Sequence, residues 1–272
     1  MTSCMEVMDE IIFLGTGGGR NVMVSQLRYT GGIIMRIHGQ QFHLDPGPGA
    51  LIRALQFGIN PMDTTAFLVS HSHLDHCNDI NVMINLLTDE GREKKGVLVA
   101  SSSITHKSSP ICEPYLDWLE KVVTMKPLQS MRIGGVSIKA LATKHNDKHA
   151  IGFRITTDKL TLTYTSDTDY SPKVVKSYEG SDIMMLNCLR PDLKGVEYHL
   201  SSDKVVKILG QIKPKLAILT HFGKTMLEAT PIYESREIQR KTGVQTIAAH
   251  DGLILSPESY AVSSDQKRLG SF

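Results

Sequence analysis

One six-residue stretch, His-Ser-His-Leu-Asp-His at residues 71–76, constrains this chain more than any other. It places three imidazoles and a carboxylate directly after an apolar run whose β-branched and aromatic residues predict a buried strand. Neutral imidazole nitrogens and carboxylates both bind Zn²⁺ and similar ions. Because side chains alternate along an extended chain, we expect the first two histidines on one side, with Asp75 and His76 reaching a second position. The loop could therefore supply ligands to two neighbouring metal ions.

A solvated surface turn is the alternative interpretation of this stretch. Asp75 would then cap a helix that begins near Asn78. The dense spacing of the histidines, together with further ligand-type residues downstream, favours a metal site instead.

The composition is that of an ordinary globular protein, with 41% apolar and 21% charged residues among 272. A net charge of +2 leaves any attraction to nucleic acid to local patches. The four cysteines form no CxxC pair, which disfavours a disulfide framework and favours a reducing cytoplasm. No apolar stretch approaches the roughly 18 residues that span a bilayer, and no secretory signal opens the chain. We expect a soluble cytoplasmic protein without a membrane partner.

Short apolar runs alternate with amphipathic ones along most of the chain, which predicts a layered α/β domain. The glycines at 15–19 predict a tight turn beneath the site, because no Lys-Ser/Thr ending and no helix-forming run follow them as in a phosphate-binding loop. The segment 116–123 predicts an amphipathic helix with Trp118 facing inward. We predict strands over 11–14, 32–38, 41–44, 66–70, 96–100, 136–142, 150–155, 160–164, 182–187, 215–220 and 244–249, and further helices over 50–57, 80–87, 172–177, 203–212 and 226–241.

The pattern His-x-His-x-Asp-His resembles the signature of the metallo-β-lactamase superfamily, and its other motifs follow in order. Phe-Leu-Gly-Thr-Gly at 13–17 is similar to the opening of ribonuclease Z and related phosphodiesterases. A histidine followed by Gly-aromatic, a Ser-Asp-Thr triplet at 166–168 and a histidine after a late strand resemble the later motifs. The resemblance runs from Phe13 to Leu255.

This resemblance implies seven metal ligands. One metal ion would be held by three histidines and a second by an aspartate and two histidines, with another aspartate bridging both. His149 competes locally with His145, which we prefer because it lies nearer the end of its strand. The implied ligands are His71, His73 and His145 for the first ion, Asp75, His76 and His221 for the second, and Asp167 as the bridge.

The resemblance also implies supporting and catalytic roles. Asp45 matches a carboxylate that orients a ligand of the metal loop, with capping of the next helix as its alternative. Asp75 is expected to orient the attacking water. His199, in His-Leu-Ser, resembles a phosphodiesterase histidine that protonates the leaving oxygen; a hydrogen bond at a helix start is its alternative. Asp169 is expected to cap the helix around Pro172.

Two departures from ribonuclease Z bear on the substrate. The His-Glu-Ala-Thr segment of that enzyme is replaced by Asn187-Cys-Leu-Arg190, which leaves its supporting glutamate without a counterpart. The segment between His145 and Asp167 is too short for an arm that grips transfer RNA, so RNA is not the favoured substrate. Arg190 and Lys194 could instead bind an anionic substrate.

The fold implied by the resemblance is a four-layer αββα sandwich, formed as a single domain over residues 1–272. Its cofactors would be two divalent metal ions, with Zn²⁺ expected and Mn²⁺ or Fe²⁺ acceptable to the same ligands. A metal-activated hydroxide would hydrolyse a small or nucleotide phosphodiester. The alternatives are a lactone or thioester hydrolase and a ribonuclease Z-like endonuclease, and the intact ligand set disfavours a non-catalytic scaffold. A homodimer is compatible with the resemblance.

Overall fold

The computed structural model describes residues 9–106, 109–111, 114–191 and 197–261. The strands are β1 (Glu10–Phe13), β2 (Ile33–Ile37), β3 (Gln40–Leu44), β4 (Thr64–Val69), β5 (Val97–Ala100), β6 (Lys121–Thr124), β7 (Ser130–Ile133), β8 (Val136–Ala142), β9 (Ile151–Thr156), β10 (Thr161–Tyr164), β11 (Ile183–Arg190), β12 (Leu200–Ser201), β13 (Leu216–Thr220), β14 (Thr246–Ala248) and β15 (Ile254–Leu255). The helices are α1 (Gly19–Ser25), α2 (Ala50–Gln56), α3 (Leu74–Cys77), α4 (Ile80–Leu87), α5 (Ser102–Thr105), α6 (Tyr115–Trp118), α7 (Pro172–Lys176), α8 (Ser202–Ile212), α9 (Lys224–Glu228) and α10 (Pro231–Thr242).

These strands form two mixed sheets. Sheet 1 has the order β15-β1-β2-β3-β4-β5-β6; β3 to β6 run parallel to one another, whereas β15, β1, β2 and β3 pair antiparallel. Sheet 2 has the order β14-β13-β11-β10-β9-β8-β7, with the short β12 beside β11. In sheet 2, β10, β11, β13 and β14 run parallel, whereas β7 to β10 form an antiparallel meander. The parallel strands of each sheet therefore have their carboxyl ends on a common edge.

The period of two along each strand decides which layer a side chain enters. In β4, Ala66 and Leu68 join a buried core that also contains Phe153 and Ile218 of sheet 2. The intervening Phe67 faces the helices that cover sheet 1. The two sheets thus pack face to face over a shared apolar core.

Helices cover the outer face of each sheet. The buried side of α4, including Met83 and Ile84, packs on the outward residues of β4 and β5. On the other side, Val205 of α8 and Ile238 of α10 pack against outward residues of β11 and β13. The order helix, sheet, sheet, helix confirms the predicted four-layer αββα sandwich. Within the described ranges, no helix combines the length and apolar character needed to cross a lipid bilayer.

Two predicted helices differ in the structure. The helix predicted at 226–241 is divided into α9 and α10, because Pro231 begins a new helix. The helix predicted at 116–123 is wrong. Residues 116–123 divide into the single turn α6 and the edge strand β6, which pairs in parallel with β5. The β-branched run Val122-Val123-Thr124 favours the extended form, and the open edge of sheet 1 supplies hydrogen-bond partners that the local pattern did not reveal. Trp118 is half-buried and stacks edge-on with Tyr115.

The glycine segment also differs from its prediction, because the short helix α1 begins within it at Gly19. Burial of Val22 anchors this turn of helix against the body of the protein. Tertiary packing therefore overrides a weak local helix propensity. The predicted β2–β3 hairpin and the helix at 80–87 lie where expected.

Candidate metal centre

Seven histidine and aspartate side chains meet where the strands of both sheets end. The structure divides them into two groups, in each of which the ligand-type atoms lie within 4.8 Å of one another. These are the same seven residues that the sequence singled out. The first group is His71, His73, His145 and Asp167, and the second is Asp75, His76 and His221.

Each residue of the cluster follows the carboxyl end of a strand. The loop leaving β4 carries His71 and His73, whereas Asp75 lies on the single-turn helix α3. From sheet 2, His145 follows β8 and His221 follows β13. Apolar strands buried on both sides hold these loops in fixed positions, so residues far apart along the chain converge at one edge.

Three imidazoles of the first group surround one point. The ring centroids of His71 and His73 are 4.6 Å apart, and each lies 4.9 Å from that of His145. Nδ1 of His73 faces Nε2 of His145 at 3.3 Å. Nδ1 of His71 contacts the Ser70 hydroxyl at 2.9 Å, whereas its buried Nε2 has no hydrogen-bond partner among the described residues. An unpaired buried nitrogen directed into a histidine cluster fits a metal ligand.

The second group has the same character. Nε2 of His76 lies 3.0 Å from Nε2 of His221, and Oδ2 of Asp75 lies 3.4 Å from that same His221 atom. Two imidazole nitrogens that face each other with a carboxylate beside them form a donor set typical of a transition-metal site. The backbone N–H of Gly19 donates to Oδ2 of Asp75 at 2.8 Å and fixes its orientation.

Asp167 lies between the two groups. Its Oδ1 is 3.4 Å from Nε2 of His221, and its Oδ2 is 3.5 Å from Nε2 of His76. The same carboxylate belongs to the first group of ligand-type atoms, with His71, His73 and His145. This position fits the predicted bridge between two ions.

The buried Asp45 carboxylate holds the cluster from behind. Its Oδ1 accepts the Ser70 N–H at 2.7 Å. Its Oδ2 accepts the Ser70 hydroxyl at 2.7 Å and the Tyr164 hydroxyl at 2.8 Å, and contacts Nδ1 of His76 at 2.8 Å. Asp45 thereby leaves Nε2 of His76 directed at the other ligand-type atoms. The contacts agree with the predicted orienting role and not with capping of α2, which begins at Ala50 and has Gly49 at its cap.

Asn187 and Tyr164 support the cluster and were missed by sequence reasoning. The amide of Asn187 donates to Oδ1 of Asp167 at 2.7 Å and to the Tyr164 hydroxyl at 3.1 Å. A single amide within the apolar strand β11 was the available signal, since its neighbours β10 and β13 both end in site residues.

The electrostatics suit metal binding. Burial lowers the pKa of His145 to about 4 and moves the pKa of His71 well below its usual value, so both imidazoles are neutral at pH 7. Burial alone would raise the pKa of Asp167, but the nearby His221 and His76 outweigh it and hold that pKa low. Neutral His71 and His145 beside an ionised carboxylate are in the protonation states that bind a metal. His76 differs: burial would lower its pKa, but Asp167 and Asp75 outweigh burial and raise it well above the usual value, so a metal ion would have to displace that proton.

His199 borders the cluster on its solvent side. Its Nε2 lies 3.2 Å from Oδ2 of Asp167, its Nδ1 lies 3.0 Å from the carbonyl oxygen of Glu197, and 23% of its side chain is exposed. Burial works against protonation, but the Asp167 contact prevails and the pKa of His199 is raised. The structure therefore places a histidine that can carry a proton beside the ligand-type groups.

The other sequence-predicted residues take different positions. Arg190 lines a cavity beside the cluster, whereas Lys194 lies outside the described residues. His149 is exposed away from the seven-residue group.

The predicted cap role of Asp169 is wrong, because α7 has Ser171 at its cap. The Asp169 carboxylate instead accepts hydrogen bonds from Lys144 and from the backbone N–H of Tyr170, and it forms an ion pair with Lys204. The positive charges of the two lysines attract the carboxylate more strongly than the start of a helix does.

The chain is similar in sequence to two relatives. An uncharacterized protein of Methanocaldococcus jannaschii is 34% identical over 250 residues, covering 90% of this chain and 93% of that protein. The ribonuclease Z of Methanothermobacter thermautotrophicus is 36% identical over 87 residues, covering 32% of this chain and 27% of the enzyme.

Solved structures share the fold. The metallo-beta-lactamase fold protein YhfI from Bacillus subtilis superposes with a TM-score of 0.77 at 18% identity, covering 91% of this chain and 98% of that one. A diphosphatase from the PhnP family superposes with a TM-score of 0.69 at 20% identity, covering 91% and 97%. A family model described as the beta-lactamase superfamily domain matches residues 40–222. The protein therefore belongs to the metallo-β-lactamase superfamily, near its ribonuclease Z-like branch.

Proposed function

We propose that this protein is a metal-dependent hydrolase that cleaves a small or nucleotide phosphodiester with two divalent metal ions. The observation that carries the proposal is the position of Asp167, which clusters with the ligand-type atoms of the first histidine group and also approaches Nε2 of His76 and Nε2 of His221 in the second. One carboxylate between two such groups is the arrangement that a pair of ions shares.

The donor set fits the ions. His71, His73 and His145 would hold one, and Asp75, His76 and His221 the other, with Asp167 shared. The unpaired Nε2 of His71 and the facing nitrogens of His76 and His221 support this assignment. Imidazole and carboxylate ligands suit Zn²⁺, which we propose as the physiological metal, and also accept Mn²⁺ or Fe²⁺. When bound, the ions supply a water of lowered pKa and positive charge for a phosphate oxygen.

The protein's own side chains would orient the reactants. Asp75, held by the Gly19 N–H, would accept a hydrogen bond from the attacking water and aim it. His199 would donate its Nε2 proton to the departing oxygen, because it is partly exposed and lies at the edge of the cluster. Hydrolysis of a phosphodiester requires both roles at one phosphorus atom, because a water attacks on one side while an alkoxide leaves on the opposite side.

A phosphodiester is favoured over the other substrates of this fold by two observations. His199 supplies a proton donor for an alkoxide leaving group. The named relatives and fold neighbours include a ribonuclease and a diphosphatase, both of which cleave bonds to phosphorus. Against a transfer-RNA substrate, β8 and β9 are adjacent strands of one meander with only a short connection between them.

The test combines elemental analysis of the purified protein with a substrate panel. We expect about two equivalents of divalent metal per chain and turnover of bis-p-nitrophenyl phosphate. His199→Ala should lower kcat by about 10²–10⁴-fold while metal content is retained, because general acid catalysis contributes that much. His38→Asn is the matched control, since His38 pairs with Asp158 on the surface and should leave kcat unchanged.

Other outcomes would contradict the proposal in distinct ways. Hydrolysis of lactones or thioesters without phosphodiester turnover would identify the runner-up activity. Cleavage of precursor transfer RNA alone would identify a ribonuclease Z-like enzyme. Metal binding with no turnover of any panel member would leave a non-catalytic protein.

A further inference from the structure

A cavity of about 210 Å³ opens directly beside the metal centre and has no part in the mechanism above. Its floor is backbone from Gly18, Gly19 and Gly223. Gly18 lies against the ring of His221, and Gly19 donates to Asp75, so this floor is continuous with the second ligand group. A Cβ on Gly223 would lie 2.7 Å from the carbonyl oxygen of Leu189, which shows how closely the walls approach. A ligand group in this cavity would therefore be next to the reacting centre.

The polar lining of the cavity is cationic. It presents Arg20, Arg190 and Lys224, with Asn21 and Thr225 as neutral hydrogen-bonding groups, and none of the described lining residues is acidic. Guanidinium groups match the geometry of phosphate oxygens, and an ammonium adds a compact positive charge. The chemistry of this lining is that of a phosphate site.

Two of these cationic side chains form no strong ion pair with the described residues. Arg20 is exposed and has no ion pair with any described residue. Lys224 lies 3.8 Å from Glu228 in an exposed pair one helical turn apart, which is a weak interaction. Both side chains can therefore turn toward an anion at little cost to the fold.

One lining residue of the cavity, Arg190, lies beside the short strand that follows the proposed proton donor. Arg190 ends β11 and pairs in parallel register with Ser201 of β12. Ser201 is two residues beyond His199, the proposed proton donor. The volume of about 210 Å³ is small compared with the roughly 300–1,000 Å³ of sites for drug-sized ligands, so it suits a single small group.

We propose that this cavity is an anion subsite for a second phosphate group of the substrate. The inference rests on the proposed phosphodiesterase function and narrows its substrate class to phosphodiesters that bear an additional phosphate. Hydrolysis of a linear diester would then give a phosphate monoester and an alcohol, one of which carries the phosphate held in the cavity. A molecule with two phosphate groups, one reaching the cavity and one the metal centre, would bind as an inhibitor.

The test is calorimetric binding to the metal-loaded protein, which needs no turnover. Adenosine 3′,5′-bisphosphate and ADP present a second phosphate at two spacings, and adenosine 5′-monophosphate presents only one. We expect the tighter of the two diphosphorylated probes to bind at least about tenfold better than the monophosphate. In Arg20→Ala and Lys224→Ala, this preference should fall toward one. Lys173→Ala removes the same charge from an exposed position on α7 and should retain the preference.

The outcomes separate this inference from the phosphodiesterase proposal. Equal affinity for one and two phosphates in the wild type, or a preference that survives both charge removals, would overturn the subsite. Turnover of bis-p-nitrophenyl phosphate together with that result would leave the enzymatic proposal intact. A phosphate preference lost in both variants, without turnover of any diester, would support the subsite and reject the reaction.

Discussion

The side-chain amide of Asn187 donates a 2.7 Å hydrogen bond to Oδ1 of Asp167, the carboxylate that faces both histidine groups. The same amide donates to the Tyr164 hydroxyl, which in turn donates to Asp45. Asp45 contacts His76 and thereby completes a buried chain of polar contacts behind the cluster. Such outer partners fix the orientation of metal ligands, so their removal should be felt at the metal.

Asn187→Asp should weaken metal binding. The change removes the donor and places a second carboxylate beside Asp167, where two like charges in a buried site repel each other. We expect metal affinity to fall about 10–100-fold, measured by competition with a chromophoric chelator. Asn187→Leu, which removes the donor without adding charge, should cost less. Equal affinities for the wild type and Asn187→Asp would contradict this role.

Asp45→Asn should destabilise the protein more than Tyr164→Phe. Oδ2 of Asp45 meets the Ser70 and Tyr164 hydroxyls and Nδ1 of His76, so an amide in its place either presents a donor to donors or loses a charged acceptor. We expect a loss of about 2–4 kcal/mol in the free energy of unfolding for Asp45→Asn and about 1–2 kcal/mol for Tyr164→Phe. Asn tolerates the left-handed backbone found at Asp45, so strain does not explain the difference. Urea unfolding of both variants measures it, and a larger loss in Tyr164→Phe would reverse the ranking.

Gly18→Ala should disrupt the second ligand group by steric overlap alone. Gly18 has an extended backbone with φ −153°, which alanine adopts freely, but the added Cβ would overlap the His221 ring. We expect loss of one bound metal equivalent and of most activity, measured by elemental analysis and turnover. Gly210→Ala is the matched control, because its Cβ would meet nothing within 4 Å and Gly210 lies within α8, near its end. That control should gain about 0.5–1 kcal/mol of stability, and normal metal content in Gly18→Ala would contradict the clash.

His43 should make stability depend on pH. Burial lowers the pKa of His43 to about 4, against an ordinary value of 6.5. Above pH 6.5, His43 is neutral in both the folded and the unfolded protein. As the pH falls from 6.5 toward 4, His43 of the unfolded chain takes up a proton while that of the folded protein does not, so the free energy of unfolding falls by about 1.4 kcal/mol per pH unit. The control variant is His43→Gln, whose amide retains a hydrogen-bond donor for the Gly31 carbonyl. Urea unfolding should show the free energies of unfolding of the wild type and of this variant converging by about 2–3 kcal/mol as the pH is lowered. Parallel pH profiles would show that His43 does not contribute.

Local patterns predicted much of the fold. The run at 80–87 formed a helix with its apolar side buried, because a period of 3.6 residues marks an amphipathic face wherever it packs. The strand at 136–142 was likewise recognisable from its alternating pattern. The local pattern gave the wrong prediction for segment 116–123. An edge strand depends on a neighbouring strand for its hydrogen bonds, and that neighbour, β5, is separated from β6 along the chain by the helices α5 and α6.

The sequence by itself determined which side chains could bind a metal, since His71, His73, Asp75 and His76 follow an apolar strand in one short loop. Only the tertiary structure decided that Nε2 of His221, 145 residues beyond His76, lies 3.0 Å from it. Only the tertiary structure showed that Asn187 and Gly18 contact residues of the cluster. Neither residue type indicates a metal site on its own, so the sequence could not reveal this. The physical reason is that strand alternation is a local property, whereas the convergence of strand ends depends on how two sheets pack and share a core.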